Sequence, residues 1–297
     1  MVDVVVLSDE VLTEMAGYGR TLVAFSGGVD SSVVLAAAVR ALGPAQVAAV
    51  TAVSPSLPAA ELAAAREFCA GLGVAHHTPA TSEMDVPGYR ENGPQRCYFC
   101  KSVLLDTANA LADELGFATI TTGTNASDVV AGFRPGIQAA AERGARTPLA
   151  DLGLEKTAVR DIARHWGLPV WDKPAAACMA SRVAYGITVT PARLARIERA
   201  ETAVRAALGG VVRDLRVRDL GDAVRLEVDS DLVERVRADQ AVAAAIREAG
   251  FTAAPVRVEV FRSGSMNDLL ADPDPGRRPG HDHDRTRQAV GRETLSR

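Results

Sequence analysis

Residues 25–32 read FSGGVDSS, which places two glycines, an aspartate and three serines directly after an apolar run. Glycines let backbone N–H groups approach an anion closely, and a helix that starts here turns its positive end toward the same spot. Gly27 and Gly28 would open that approach and Ser26, Ser31 and Ser32 would add hydroxyl donors, so the stretch suits phosphate. It lacks the Gly-Lys-Ser/Thr ending of a Walker loop and is therefore a different cradle. Asp30 suits a magnesium contact or a cap for its own helix. The plain structural alternative is a tight turn ahead of a helix.

A second set of residues could do sulfur chemistry. Residues 96–101 read RCYFCK, so Cys97 and Cys100 form a CxxC, and Cys178 lies in DKPAAACMASRVAYG at residues 172–186. A lone CxxC serves equally as half a zinc site or as a redox pair, although no second CxxC or well-spaced histidine accompanies it. Cys69, at helical spacing among apolar neighbours, reads as a core residue. Arg216 and Arg218 alternate along DLRVRDL and so share one strand face, where two guanidiniums suit a phosphate or carboxylate. A solvated charged strand is the alternative for these two. His76-His77 reads as a strand edge, HDHD at residues 281–284 as part of a flexible tail, and Trp166 and Trp171 as packing residues around a Gly-Leu-Pro turn.

Alternating strands and helices must position these groups. TLVAF (21–25) and QVAAVTAV (46–53) read as buried strands, with the helix SSVVLAAAVRAL between them stopped by Gly43-Pro44. PAAELAAAREFCAGLG runs into VAHHTPA, and KSVLLDTANALADELG into FATITTGT. This alternation predicts an α/β fold, a doubly wound parallel sheet covered on both faces, and it puts FSGGVDSS where open α/β sheets bind ligands. The pattern changes near residues 184–190 to a long helix, a hairpin turning at Gly221-Asp222, a helix over DLVERVRADQAVAAAIREAG and a final strand in PVRVEVF. The expected division is a domain over residues 1–185, a smaller α+β domain over 186–270 and a disordered polar tail over 271–297.

Composition limits the function. With 33 basic against 37 acidic residues and a net charge of −4, the chain is not built mainly to hold nucleic acid or anionic lipid. No apolar run approaches the roughly 20 residues of a membrane helix, and the acidic start MVDVVVLSDEVL does not resemble a signal peptide. A cytoplasmic location is expected, and in that reducing compartment the 4 cysteines point to metal or redox chemistry rather than disulfides.

SGGVDSS resembles the pyrophosphate-binding loop of the PP-loop superfamily, which includes GMP synthetase, asparagine synthetase, argininosuccinate synthetase and tRNA sulfurtransferases. Those enzymes split ATP between the α and β phosphates, adenylate a substrate oxygen and let a nucleophile displace AMP. Together RCYFCK, GTNASD (123–128), FRPG (133–136), DKPAAACMASRVAYG and FRSGSMND (261–268) resemble the LarE family, up to about residue 270. Phe261 and Ala184 depart from the tyrosine and proline usual in that family, away from the chemistry.

The resemblance implies an ATP-dependent sulfurtransferase that acts on pyridinium-3,5-biscarboxylic acid mononucleotide during nickel-pincer nucleotide biosynthesis. It further implies that Lys101 and Gly123 bind ATP with the glycine loop, that Mg2+ assists, and that Asn125 and Asp128 follow in the nearby loop. Cys97, Cys100 and Cys178 would ligate a 4Fe-4S cluster carrying a labile sulfide; in other members a single cysteine at the position of Cys178 gives up its own sulfur. Ser181, Arg182, Arg216, Arg218, Glu201 and Glu227 would surround the substrate phosphate and a bound ion near a subunit interface, in a homo-oligomer expected to be a hexamer. The competing functions are a PP-loop tRNA thiolase, against which the acidic net charge counts, and a non-catalytic adenine-nucleotide sensor, which leaves the three cysteines without a role.

Overall fold

The computed structural model describes residues 3–268, apart from 133 and 253; the expected tail with its HDHD lies outside the described residues. The chain runs through α1 (Val4–Ala16), β1 (Thr21–Ala24), α2 (Val29–Leu42), β2 (Val47–Val50), α3 (Ala59–Leu72), β3 (Ala75–His77), α4 (Pro87–Arg90), α5 (Arg96–Leu115) and β4 (Thr119–Thr122). It continues with α6 (Ala126–Val130), α7 (Pro135–Glu142), α8 (Pro148–Asp151), α9 (Lys156–His165), α10 (Pro191–Ala207), β5 (Leu215–Asp219), β6 (Val224–Val228), α11 (Val233–Ala238), α12 (Gln240–Glu248) and β7 (Val256–Val260).

β1 to β4 form a parallel sheet in the order β3-β2-β1-β4, with Thr21 level with Val47 on one side and Thr119 on the other. Every residue of β1 and β2 is buried, as expected of strands covered on both faces. Alternation divides them: Val23, Phe25, Val47 and Ala49 pack toward α1, α2 and α9, whereas Leu22, Ala24, Ala48 and Val50 pack toward α5 and α7. α2 is buried along Val33–Ala38 on all sides, and its run of alanines allows α1 and α9 to approach closely. The α/β architecture and the doubly wound sheet are as the strand and helix alternation predicts.

The second sheet has the order β5-β6-β7, antiparallel then parallel, and packs against α10 and α12 over Leu194, Ile197, Leu215, Val217, Leu226 and Ile246. The single helix expected over residues 231–250 is two, because Asp239 is extended and its carboxylate accepts from the N–H groups of Ala241 and Val242 as the cap of α12. α5 begins at Arg96 rather than at Lys101, so the CxxC lies within the helix, at its start. α1, a helix not expected from the sequence, precedes β1.

The two sheets are tied through the segment before α10. Ala184 N–H donates to Asp219 O at 2.9 Å, and the buried Asp219 carboxylate receives Arg193 at 2.7 Å and Arg196 at 2.6 Å. Asn92, at φ +56°, uses its side-chain amide to hold the carbonyls of Val183, Ala184 and Ile187.

The sheet reverses strand order between β1 and β4, where chain crossovers leave a crevice at the carboxyl ends. There Gly123 lies against the start of α2 so closely that a Cβ would stand 2.5 Å from Ser31 N and 2.9 Å from Asp30 C. Both neighbours are backbone and cannot swing aside. Gly123→Ala is expected to cost about 1–3 kcal/mol of stability as overpacking, read as a lower urea midpoint with an unchanged slope; an unaltered midpoint would show that the contact is slack.

Candidate active site

A cavity of about 400 Å³ opens at this crevice. Ser26, Asp30 and Ser31 of the glycine loop line it, whereas Gly27, with φ +71°, and Gly28, which caps α2 without any side-chain cap bond, are not part of its lining. The first N–H groups of α2 thus lack a side-chain acceptor and face the position where an anion would sit. Ser26 and Ser31 line the cavity with their hydroxyls 3.1 Å apart, and Ser31 Oγ donates to Gly28 O. Ser32 is different: it is fully buried, its hydroxyl has no partner among the described residues, and it is not part of the cavity wall. One step along a helix turns a side chain by about 100°, so Ser31 faces the crevice and Ser32 the core.

Asp30 lines the cavity from the first turn of α2 and does not cap it, since Gly28 takes that place. Its carboxylate accepts from Asn125 Nδ2 at 3.1 Å and is ion-paired with Lys156 Nζ. Asn125 and Asp128 form a capping box at the start of α6, which places Asp128 on the same wall. Lys173 donates to Gly27 O at 3.0 Å and to Glu61 at 2.7 Å, fixing the back of the glycine loop. Neither Lys156 nor Lys173 was singled out by sequence reasoning, although Lys173 stands within the DKPAAACMASR segment; each reaches the loop across more than 100 residues, a pairing no local pattern displays.

Lys101 and Cys100 line the facing wall from α5. Burial drives the Lys101 pKa down, with Cys100 pulling the other way. Cys178 and the preceding Ala176 and Ala177 complete the cavity. Burial, then the neighbouring Cys178, Glu83 and Cys97, push the Cys100 thiol up, against Lys101. Cys97, one turn earlier on α5, is exposed and does not line the cavity. Arg96 ties this turn to the Cys178 loop by donating to Ala180 O at 2.9 Å. Cys69 is a buried core residue, its thiol pushed up to about 12 by burial. His76 bonds Thr51 Oγ1 through Nε2 at 2.8 Å, Trp166 packs against the core, and Trp171 is partly exposed under Arg164.

Among the described residues no three cysteine, histidine or carboxylate side chains gather as ligands of a single metal ion. A cluster takes each cysteine on a different iron, so its ligands stand farther apart, and three neighbouring thiols are chemically suited to one. Asp30 and Asp128 on one wall likewise suit magnesium, which binds through one or two carboxylates plus phosphates.

Behind the Cys178 loop lies a second constellation. Arg182 donates to Ala177 O and Cys178 O and is paired with Glu201 at 2.9 Å; Ser181 Oγ donates to Cys178 O at 2.7 Å. Arg218 is paired with Glu227 at 2.7 Å, and Ser265 donates to the same carboxylate at 2.7 Å. Arg216 donates to the carbonyls of Leu215 and Ala175 and stacks on Phe261 at 5.4 Å. Burial, with Arg182 and Arg218 close by, lowers its pKa to about 10. The solvated-face alternative fails, since Arg216 and Arg218 are 7% and 5% exposed. None of these residues lines the 400 Å³ cavity; Ser181, Arg182, Arg216 and Arg218 hold the carbonyls of residues 175–181 behind it.

Comparison with known proteins agrees with this architecture. The asparagine synthase family model matches residues 6–95, the part that contains the glycine loop. An uncharacterized protein of Synechocystis sp. is 41% identical over 254 residues, covering 84% of this chain and 93% of its own. Pyridinium-3,5-bisthiocarboxylic acid mononucleotide synthase of Lactiplantibacillus plantarum is 32% identical over 252 residues, covering 84% of this chain and 90% of its own. Argininosuccinate synthase of Halobacterium salinarum is 30% identical over 161 residues, 51% of this chain and 40% of its own. Among the described residues no helix is long and apolar enough to cross a membrane. With that coverage of the L. plantarum synthase, the chain belongs to the LarE family of the PP-loop superfamily.

Proposed function

We propose that this chain uses ATP to activate a carboxylate of pyridinium-3,5-biscarboxylic acid mononucleotide and then replaces an oxygen of that carboxylate by sulfur. The observation that carries the proposal is one cavity with the glycine loop on one wall and the Cys100 and Cys178 side chains on the other. A non-catalytic adenine-nucleotide sensor has no use for those thiols, and a tRNA thiolase would need a basic surface that a net charge of −4 does not favour.

In the first step a carboxylate oxygen attacks the α-phosphorus of ATP, and pyrophosphate leaves with the electron pair of the broken bond. The N–H groups at the start of α2, the hydroxyls of Ser26 and Ser31, and Lys101 face the charge that develops. Magnesium, held by Asp30 and Asp128 with the phosphates, would spread the charge on pyrophosphate. In the second step a sulfur nucleophile adds to the carbonyl carbon of the acyl adenylate and AMP departs, leaving a thiocarboxylate. A 4Fe-4S cluster held by Cys97, Cys100 and Cys178 would supply that nucleophile as a labile sulfide.

A second source of sulfur is favoured by Cys178 lining the cavity while Cys97 is exposed and outside it. Here Cys178 Sγ attacks the acyl adenylate, AMP leaves, and the resulting thioester loses its Cα proton and its Cβ–S bond. The products are the thiocarboxylate and a dehydroalanine at position 178. In both versions Arg182, Arg216 and Arg218, with Ser181, would take the substrate phosphate, Arg216 being the one that has no carboxylate partner among the described residues. Residues 1–185 would then carry the ATP chemistry and residues 186–270 the substrate and the homo-oligomeric assembly, a hexamer in this proposal, of a cytoplasmic enzyme.

Cys178→Ala should keep mononucleotide-dependent conversion of ATP to AMP and pyrophosphate but lower thiolated product by roughly a hundredfold or more. Thiolation at the wild-type rate would refute the sulfur assignment, and AMP formation stimulated by tRNA instead of the mononucleotide would refute the substrate. Iron and acid-labile sulfide, measured on protein purified without oxygen and reconstituted, separate the two sulfur sources. About four of each per chain, lost in Cys97→Ala, is expected of the cluster; none, with dehydroalanine at position 178 by mass spectrometry, would replace it with the sacrificial route.

A further inference from the structure

Four carboxylates line the cavity, and three of them face a cation already. Asp30 is paired with Lys156, Glu61 with Lys173 at 2.7 Å and Asp128 with Arg134 at 3.7 Å. Glu83, 3% exposed, is the exception: no ion pair to it exists among the described residues. Its two oxygens instead each accept one hydroxyl, from Ser54 Oγ and, at 3.0 Å, from Thr81 Oγ1. It sits in the short helical turn after β3, on the side of the cavity where Cys100 and Tyr89 are its electrostatic neighbours.

A buried carboxylate without a counter-charge is costly, and two neutral donors offset only part of that cost. The two hydroxyls take up part of its acceptor capacity and supply no counter-charge. The ligand that suits such a group is a cation. An N-alkylated pyridinium is of that kind, its positive charge being spread over a flat ring.

We propose that Glu83 is the specificity residue for the positively charged ring of the substrate, held by Ser54 and Thr81 as a counter-charge beside the thiols. This rests on the function proposed above and adds what distinguishes the substrate from a neutral aromatic dicarboxylate. The ring would lie between the nucleotide, along the glycine loop, and Cys178, which is where its carboxylate must pass from one chemistry to the other.

The test compares two inhibitors of mononucleotide-dependent AMP formation that differ in ring charge: an N-methylpyridinium with the two carboxylates of the substrate, and isophthalate. Wild-type protein should bind the pyridinium about tenfold more tightly or better. Glu83→Gln, which keeps the shape, should bring that ratio close to one and raise the KM for the mononucleotide; Glu83→Asp, which keeps the charge, should retain part of the preference. A purely structural glutamate would not make the ratio follow the charge. Equal binding of the two inhibitors by wild-type protein, a ratio unchanged in Glu83→Gln, or a rise confined to the KM for ATP would each overturn the inference. Wild-type protein that forms no AMP with the mononucleotide would instead overturn the proposed function itself, so the two failures are distinguishable.

Discussion

The close approach of Gly123 to the first turn of α2 is the constraint on which the rest of the site depends. β4 must end where α2 begins, because β1 and β4 are neighbours in the sheet and the crevice lies between their carboxyl ends. With no side chain at Gly123, the backbone of β4 lies against Asp30 and Ser31, and Asn125 just beyond it can hold Asp30. The anion cradle, the carboxylate wall and the strand order are therefore one arrangement. α2 can serve as its base because it is buried on every side along Val33–Ala38 and has no freedom to tilt.

The thiol wall is assembled differently. Cys178 sits on an irregular segment, and such a segment holds a side chain in place only if its backbone is gripped. Three elements do this: Arg96 and Asn92 from the start of α5 and its approach, and Arg182 through the carbonyls of Ala177 and Cys178. Arg182 is itself held by Glu201 on α10. The thiol loop is thus tied to charge on α10 through Arg182 and Glu201 and to β5 through Arg216, which donates to Ala175 O. Glu83 supplies the opposite charge on the cavity side of the same loop.

Much of this was legible in the sequence, for physical reasons that can be named. Strands covered on both faces read as unbroken apolar runs, and β1 and β2 do; the loop after β1 has glycines because Gly27 adopts a left-handed backbone that other residues resist. Ser32 was misjudged because loop composition does not say which side of a helix a hydroxyl occupies. The break at Asp239 was missed because an aspartate inside an otherwise helical pattern reads as a surface residue until its carboxylate is seen to cap α12. Lys156, Lys173 and Glu83 carry no local signal: their meaning comes from partners brought together by the crossovers. The pairing of Arg218 with Glu227 and the capture of Arg216 by the carbonyl of Ala175 are equally non-local, and they explain how two arginines on one strand face can be buried.

The central claim is that this cavity joins a substrate carboxylate to AMP before sulfur enters. The most direct measurement supplies the mononucleotide with heavy oxygen in its carboxylates and examines the AMP released from ATP by mass spectrometry. Transfer of one labelled oxygen to each AMP formed is the predicted result, since the oxygen that attacks phosphorus leaves with it. AMP free of label, or release of ADP in place of AMP, would contradict the account.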